Sequence, residues 1–227
     1  MTIIDIVNTR PHYLSETKLQ HWLGSFQAYA DIVCDAWGIA HVTLRVVSAA
    51  SEADPAHWWL MIEGRSDEPG ALGYHDEHPN GLPYSSIFAI DDFESGSSIT
   101  VTITHELAEM LVDPDVNTAP RMWTAGARQY LVEVGDPAED DIYAFTLSPS
   151  GIKLSDFVLP AYYSTGPGPY DHAHHLNASA PALLSGGYIS WLEGGQWHQT
   201  SARLANGRLS CRALRSGRGV RAARADR

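Results

Sequence analysis

Apolar residues in the first quarter of the chain fall on one helical stripe. Leu19, Trp22, Leu23, Phe26, Ala30, Val33 and Trp37 recur at spacings of three and four, which predicts an amphipathic helix from Ser15 to Trp37. Ser15 offers an N-capping oxygen, and Gly38 suits the residue that ends a helix. Shorter apolar runs predict strands at His41–Val47, His57–Ile62 and Ser86–Ile90. The last two are separated by a loop rich in Gly, Pro, Asp and His, from Gly64 to Pro83.

A second helix is expected from Ser97 or Ser98, through His105, to about Val112, where Asp113-Pro114 stops it. Its first half, Ile99-Thr-Val-Thr-Ile-Thr104, is β-branched throughout and by propensity alone reads as a strand. The residues that follow, His105 to Met110, make the case for a helix.

Beyond Pro120 the pattern changes to short strands and turns. Tyr130–Val134 and Ile142–Leu147 read as strands around Gly135-Asp-Pro-Ala-Glu-Asp-Asp141, and Phe157–Tyr163 is a further apolar run. Tyr188–Leu192 and Gln196–Gln199 form a hairpin across Glu193-Gly-Gly195. The expected class is α+β. An α/β half spans 1–114 and a β-rich half, completing any site, spans 115–202. The tail, 203–227, is Arg-rich and expected to be solvated and flexible.

Composition narrows the function classes. The 227 residues are 44% hydrophobic and 19% charged, with seven Trp and ten Tyr, enough for a full core. No apolar run reaches the ~18 residues of a membrane span, and the N-terminus lacks the basic and apolar regions of a signal peptide. The expectation is a cytoplasmic protein with no membrane partner. Cys34 and Cys211 are the only cysteines, which excludes a disulfide scaffold and a Cys-based zinc site. Cys34 falls on the apolar stripe of the first helix and reads as a buried hydrophobe.

Charge is unevenly spread. The last 25 residues carry eight Arg against one Asp, while the first 202 carry seven Lys or Arg against 26 Asp or Glu. An acidic body repels phosphates, so nucleic acid could dock only through the tail. There Arg recurs at every third position from Arg212 to Arg227.

The densest chemistry lies in Thr104-His105-Glu106-Leu107-Ala108-Glu109-Met110. Residues four apart share a helix face, so His105 and Glu109 can reach one metal ion, with Glu106 beside them as a base. This is the H-E-x-x-H arrangement of zinc peptidases with Glu in place of the second His. Zinc lowers the pKa of a bound water from ~15.7 to ~7, within reach of a neighbouring carboxylate. A third ligand must come from elsewhere. Glu133 and Asp136 lead, with His172 next, while Asp113 is expected to cap the helix. Two histidine clusters compete for a place at the site, Tyr74-His75-Asp76-Glu77-His78 and Asp171-His172-Ala173-His174-His175. Tyr74, Tyr162 and Tyr163 are candidates to steady an oxyanion.

Several blocks together resemble a family of little-characterised bacterial and tailed-phage proteins with a zincin-like metallopeptidase motif. They are Gly73-Tyr-His-Asp76, His105-Glu-Leu-Ala-Glu-Met-Leu-Val-Asp-Pro114, Glu133-Val-Gly-Asp-Pro137, Ser155-Asp-Phe-Val-Leu-Pro-Ala-Tyr162 and Gly186-Gly-Tyr188. The resemblance runs from about residue 58 to 198. The family carries Cys where this chain has Gly135, so a ligand role for that Cys is absent here. His174 and His175 lie outside the family pattern. The resemblance implies a zincin-like fold in the N-terminal half: amphipathic helix, small mixed sheet and metal-binding helix. It also admits a phage origin, with virion association as the alternative location.

Two functions follow as expectations. The first is a zinc-dependent hydrolase acting on a peptide or protein, with His105, Glu109, Glu133 and Asp136 as the ligand candidates, Glu106 the base and Tyr74 a catalytic candidate. The second is a non-catalytic phage virion or accessory protein, with phage structural proteins as partners. Its carboxylates (Glu109, Asp113, Glu133, Asp136, Glu139 and Asp140) would hold a structural cation, calcium in place of zinc.

Overall fold

A computed structural model describes residues 1–67, 71–115 and 122–203; part of the Gly64–Pro83 loop and the tail from Leu204 onward, with its Arg series, lie outside the described residues. The N-terminal segment Thr2–Asn8 is strand β1, an interior strand of the larger sheet next to its edge, a role its sequence alone did not suggest. Its Ile4 and Ile6 are wholly buried. The buried Asp5 between them is held by Arg45 through two 2.8 Å hydrogen bonds.

Helix α1 spans Glu16–Trp37. Ser15 caps it by accepting from the Lys18 amide, and Gly38 ends it in the left-handed region at φ 62°. Leu19, Phe26, Ala30, Val33 and Cys34 are the buried stripe, as their spacing predicts. Strands β2 (Val42–Val47) and β3 (Trp58–Glu63) flank β1, both parallel to it.

Strand β5 (Pro83–Phe88) pairs parallel to β3 and stops where helix α2 (Ala89–Ser95) begins, so the run expected as strand to Ile90 turns helical at its end. Within the expected loop lies strand β4 (Gly73–Glu77), antiparallel to β5. The sheet order is β2-β1-β3-β5-β4.

Helix α3 covers Ile99–Val112 with Ser98 as N-cap residue and Asp113 as C-cap. Every residue from Thr100 to Val112 is buried. Its β-branched first half is helical because each threonine hydroxyl has a specific partner. Thr100 donates to the Lys153 carbonyl and Thr102 to the Asp92 carboxylate. Thr104 donates to the Thr100 carbonyl and accepts from the Ser155 amide. Tertiary bonds and burial thus override a weak local preference for strand.

The remainder forms a second, antiparallel sheet, β11-β10-β7-β6. Its strands are β6 (Met122–Ala125), β7 (Arg128–Leu131), β10 (Tyr188–Glu193) and β11 (Gln196–Ser201). The tight turn between β10 and β11 uses Gly194 and Gly195, both at positive φ. A two-residue ladder, β8 (Phe145–Thr146) with β9 (Lys153–Leu154), lies between. Phe157–Tyr163 is no strand; it ends in a 3₁₀ turn at Pro160–Tyr163. The class is mixed α+β. Both halves contribute to one hydrophobic cluster, in which Tyr29 of α1 meets Phe157 and Phe145 edge-on and stacked. Among the described residues no helix is long and apolar enough to cross a membrane.

Candidate metal centre

Helix α3 lies beneath β4 and β5, with Ser85 of β5 reaching the Glu106 carbonyl and the Met110 sulfur. One turn of this helix aims His105, Glu106 and Glu109 at a common point, and ligand atoms of all three lie within 4.8 Å of one another. The His105 Nε2 to Glu109 Oε1 distance is 3.2 Å. The backbone approaches so closely here that two positions must lack a side chain. A Cβ on Gly73 would stand 2.7 Å from the Glu106 side chain, and one on Gly135 2.5 Å from His105 Nδ1.

The second half of the chain closes the site. A 3₁₀ turn at Asp136–Ala138 carries Asp136 to 3.5 Å from His105 Nε2. Glu139 belongs to the same group and is buried. The turn is fixed from behind, where the Leu184 amide donates to the Pro137 carbonyl at 2.9 Å. Glu133, just past β7, sends its carboxylate to 3.7 Å from His75 Nε2, while Tyr163 donates to its backbone carbonyl.

His75 is the residue that sequence reasoning left outside its ligand set. Alternation along β4 turns Gly73 and His75 toward α3, and His75 is only 6% exposed. Its Nδ1 lies 3.6 Å from Glu109 Oε2. The signal was present in the Gly-x-His spacing, but it means nothing until β4 is recognised as a strand. Tyr188, at the start of β10, is the other late arrival. Its hydroxyl bonds to Asp136, and burial with the nearby carboxylates raises its pKa well above the ordinary value.

Other candidates stand elsewhere. Tyr74, on the opposite face of β4, bonds through its hydroxyl to Asp67 and packs against Phe88; the alternation that brings His75 in sends Tyr74 out. Tyr162 donates to the Ala182 carbonyl. His172 stacks on Phe157, and burial lowers its pKa. His78 stacks on Tyr84. His175 lies beside Asp156 and Asp171. Asp140 serves a turn, accepting from the Ile142 amide. Asp113 ends α3 and is buried near Glu133.

The electrostatics are those of a crowded anionic pit. Burial works against a charge on His75, yet Glu133, Glu109 and Glu106 outweigh it and push its pKa to about 10. His105 is likewise buried and likewise driven up, chiefly by Glu109 and Asp136. Burial also opposes charge on Glu109, but the imidazoles facing its two oxygens hold it below the usual carboxylate range. Glu133 and Asp136 go the other way: burial and neighbouring carboxylates raise both well above the ordinary value. Six buried or nearly buried carboxylates (Glu106, Glu109, Asp113, Glu133, Asp136 and Glu139) face two imidazoles. His75 Nε2, Glu109 Oε1, Glu133 Oε2 and Asp136 Oδ1 are buried without hydrogen bonds. Such atoms are costly unless a cation is what they face. The separations fit this reading, since ligands ~2.0–2.2 Å from a tetrahedral zinc lie roughly 3.4 Å apart.

Compared with protein-family models, curated proteins and solved structures, the chain matches none.

Proposed function

We propose that the chain is a zinc-dependent hydrolase acting on peptide bonds. The observation that carries this reading is the convergence of His105, Glu106 and Glu109 on one buried point, with His105 Nε2 3.2 Å from Glu109. His105 and Glu109 would hold the ion, with Asp136 completing the set. The arrangement of a mixed sheet, an edge strand and a helix bearing the ligands beneath it supports a zincin-like reading of the fold.

Bound zinc supplies Lewis acidity, which brings the ionisation of water to near neutral pH. Glu106 receives the proton: its carboxylate is next to His105 in sequence and shares its helix face with the ligand atoms. Gly73 leaves room for that carboxylate. Tyr188 holds its hydroxyl at Asp136, placed to donate to an oxygen that gains charge during the reaction. β4 is the last strand of its sheet and carries His75, so a substrate laid along it in extended form would pass the centre. Extended binding at a strand edge is a peptide's mode of recognition.

The test is Glu106→Gln. Hydrolysis of a peptide library should fall by about 10²–10⁴, the usual worth of a general base, while zinc content by elemental analysis stays the same. An active Glu106→Gln protein overturns the assignment.

The excess of carboxylates over imidazoles favours a second reading, a non-catalytic protein whose oxygen-rich pit holds calcium. Calcium that displaces zinc in competition, with no peptide turnover, would support it.

A further inference from the structure

The carboxylate–imidazole cluster contains two complete sets of ligands that share no residue. His75, Glu109 and Glu133 form one, and His105, Asp136 and Glu139 form the other. Glu109 stands between them. Its Oε1 faces His105 Nε2 at 3.2 Å and its Oε2 faces His75 Nδ1 at 3.6 Å. We infer that the site takes two divalent cations, with the Glu109 carboxylate bridging them. The inference rests on the reading above that His105 and Glu109 hold a metal ion.

Three observations carry it. First, unbonded buried atoms occur on both sides of the cluster, His75 Nε2 and Glu133 Oε2 on one and Glu109 Oε1 and Asp136 Oδ1, which both face His105 Nε2, on the other. A single ion on the His105 side leaves His75 Nε2 and Glu133 Oε2, 3.7 Å apart, with no cation between them. Second, imidazoles ligate metals as neutral groups. Of the carboxylates that ionise on binding, one dication offsets two charges and a second offsets two more. Third, the other His–carboxylate cluster shows what a purely structural one looks like here. Asp156 accepts from the Phe157 and Ala173 amides, and Asp171 from the His175 and Leu176 amides. Those carboxylates staple a loop with backbone hydrogen bonds. Glu109, Glu133 and Asp136 have no such bonds to their unpaired oxygens. One nitrogen and two carboxylates per set suit zinc or manganese.

The experiment is metal loading of the full chain. Chelated protein is titrated with Zn²⁺, freed of excess by gel filtration and measured by elemental analysis. Two zinc per chain are expected. His75→Ala and His105→Ala should each retain one, and the double variant none. In parallel, the unmutated chain loaded with Mn²⁺ should give an exchange-coupled electron paramagnetic resonance spectrum, which needs no folded variant. One uncoupled ion per chain, or His75→Ala with undiminished loading, overturns the two-cation centre. One ion retained by His75→Ala and lost by His105→Ala leaves the hydrolase reading standing, with His75 as a charged partner of Glu109 and Glu133. No bound ion at all overturns both.

Discussion

Gly135 has no side chain because His105 occupies the space one would fill. A Cβ there would meet the imidazole at 2.5 Å, and both residues are buried. Gly135→Ala should therefore turn the His105 ring away from Glu109 and Asp136. The expected outcome is a fall of about 10–100-fold in zinc affinity, as for loss of a group that orients a metal ligand. The overpacking should also cost roughly 1–3 kcal/mol of stability. Isothermal titration with zinc and thermal unfolding check the two parts. At this scale much of the site could be read in advance. His105, Glu106 and Glu109 were legible because a helix places i and i+4 together whatever surrounds it. His75 was legible only as one member of a polar cluster competing for the site, and Tyr188 not as a site residue, because each reaches the cluster only through a strand register that links distant segments.

Helix α3 holds His105 and Glu109 in place by fastening its β-branched first turns to two neighbours. Thr104 Oγ1 is the central fastening: it donates to the Thr100 carbonyl and accepts from the buried Ser155 amide at 2.8 Å. Thr104→Val keeps the shape but leaves that amide without a partner. The cost should be about 1–3 kcal/mol, read as a lowered denaturation midpoint with zinc stoichiometry unchanged. Elements differed in how openly the sequence declared them. Helix α1 was legible to the residue because Ser15, its apolar stripe and Gly38 all state the same boundaries. The segment 99–104 reads as strand by propensity, and only its tertiary hydroxyl bonds explain the helix. β4, with the sequence Gly-Tyr-His-Asp-Glu, looks like a polar loop. It is a strand because β5 supplies its hydrogen bonds and because His75, its inward residue, is spent on the cluster. β1 went unread because its short apolar run has no punctuation around it.

Across the whole molecule, buried acid groups tie stability to pH. Asp156 is buried next to Asp171, and burial with that neighbour raises its pKa to about 8. The folded state therefore keeps a proton that the unfolded chain releases near pH 4. Stability drawn from this group is present at low pH and is lost as pH climbs from about 4 to about 8. Asp156→Asn keeps an acceptor for the Phe157 and Ala173 amides and removes the charge. Its thermal midpoint should exceed that of the unsubstituted chain by about 2–4 °C at pH 8.5, equivalent to on the order of 1 kcal/mol, and the gain should vanish by pH 5. Parallel pH profiles for the two proteins would contradict this.

The same logic of buried charge governs the centre itself, where carboxylates from α3 and from the segment after β7 meet the imidazoles of β4 and α3. Diffraction at the zinc absorption edge from crystals of zinc-loaded protein examines that meeting point directly. An anomalous peak between His105 Nε2 and the Glu109 carboxylate is the result expected. Crystals with no peak there, in which His105 and Glu109 bond directly to each other, would contradict the account at its root.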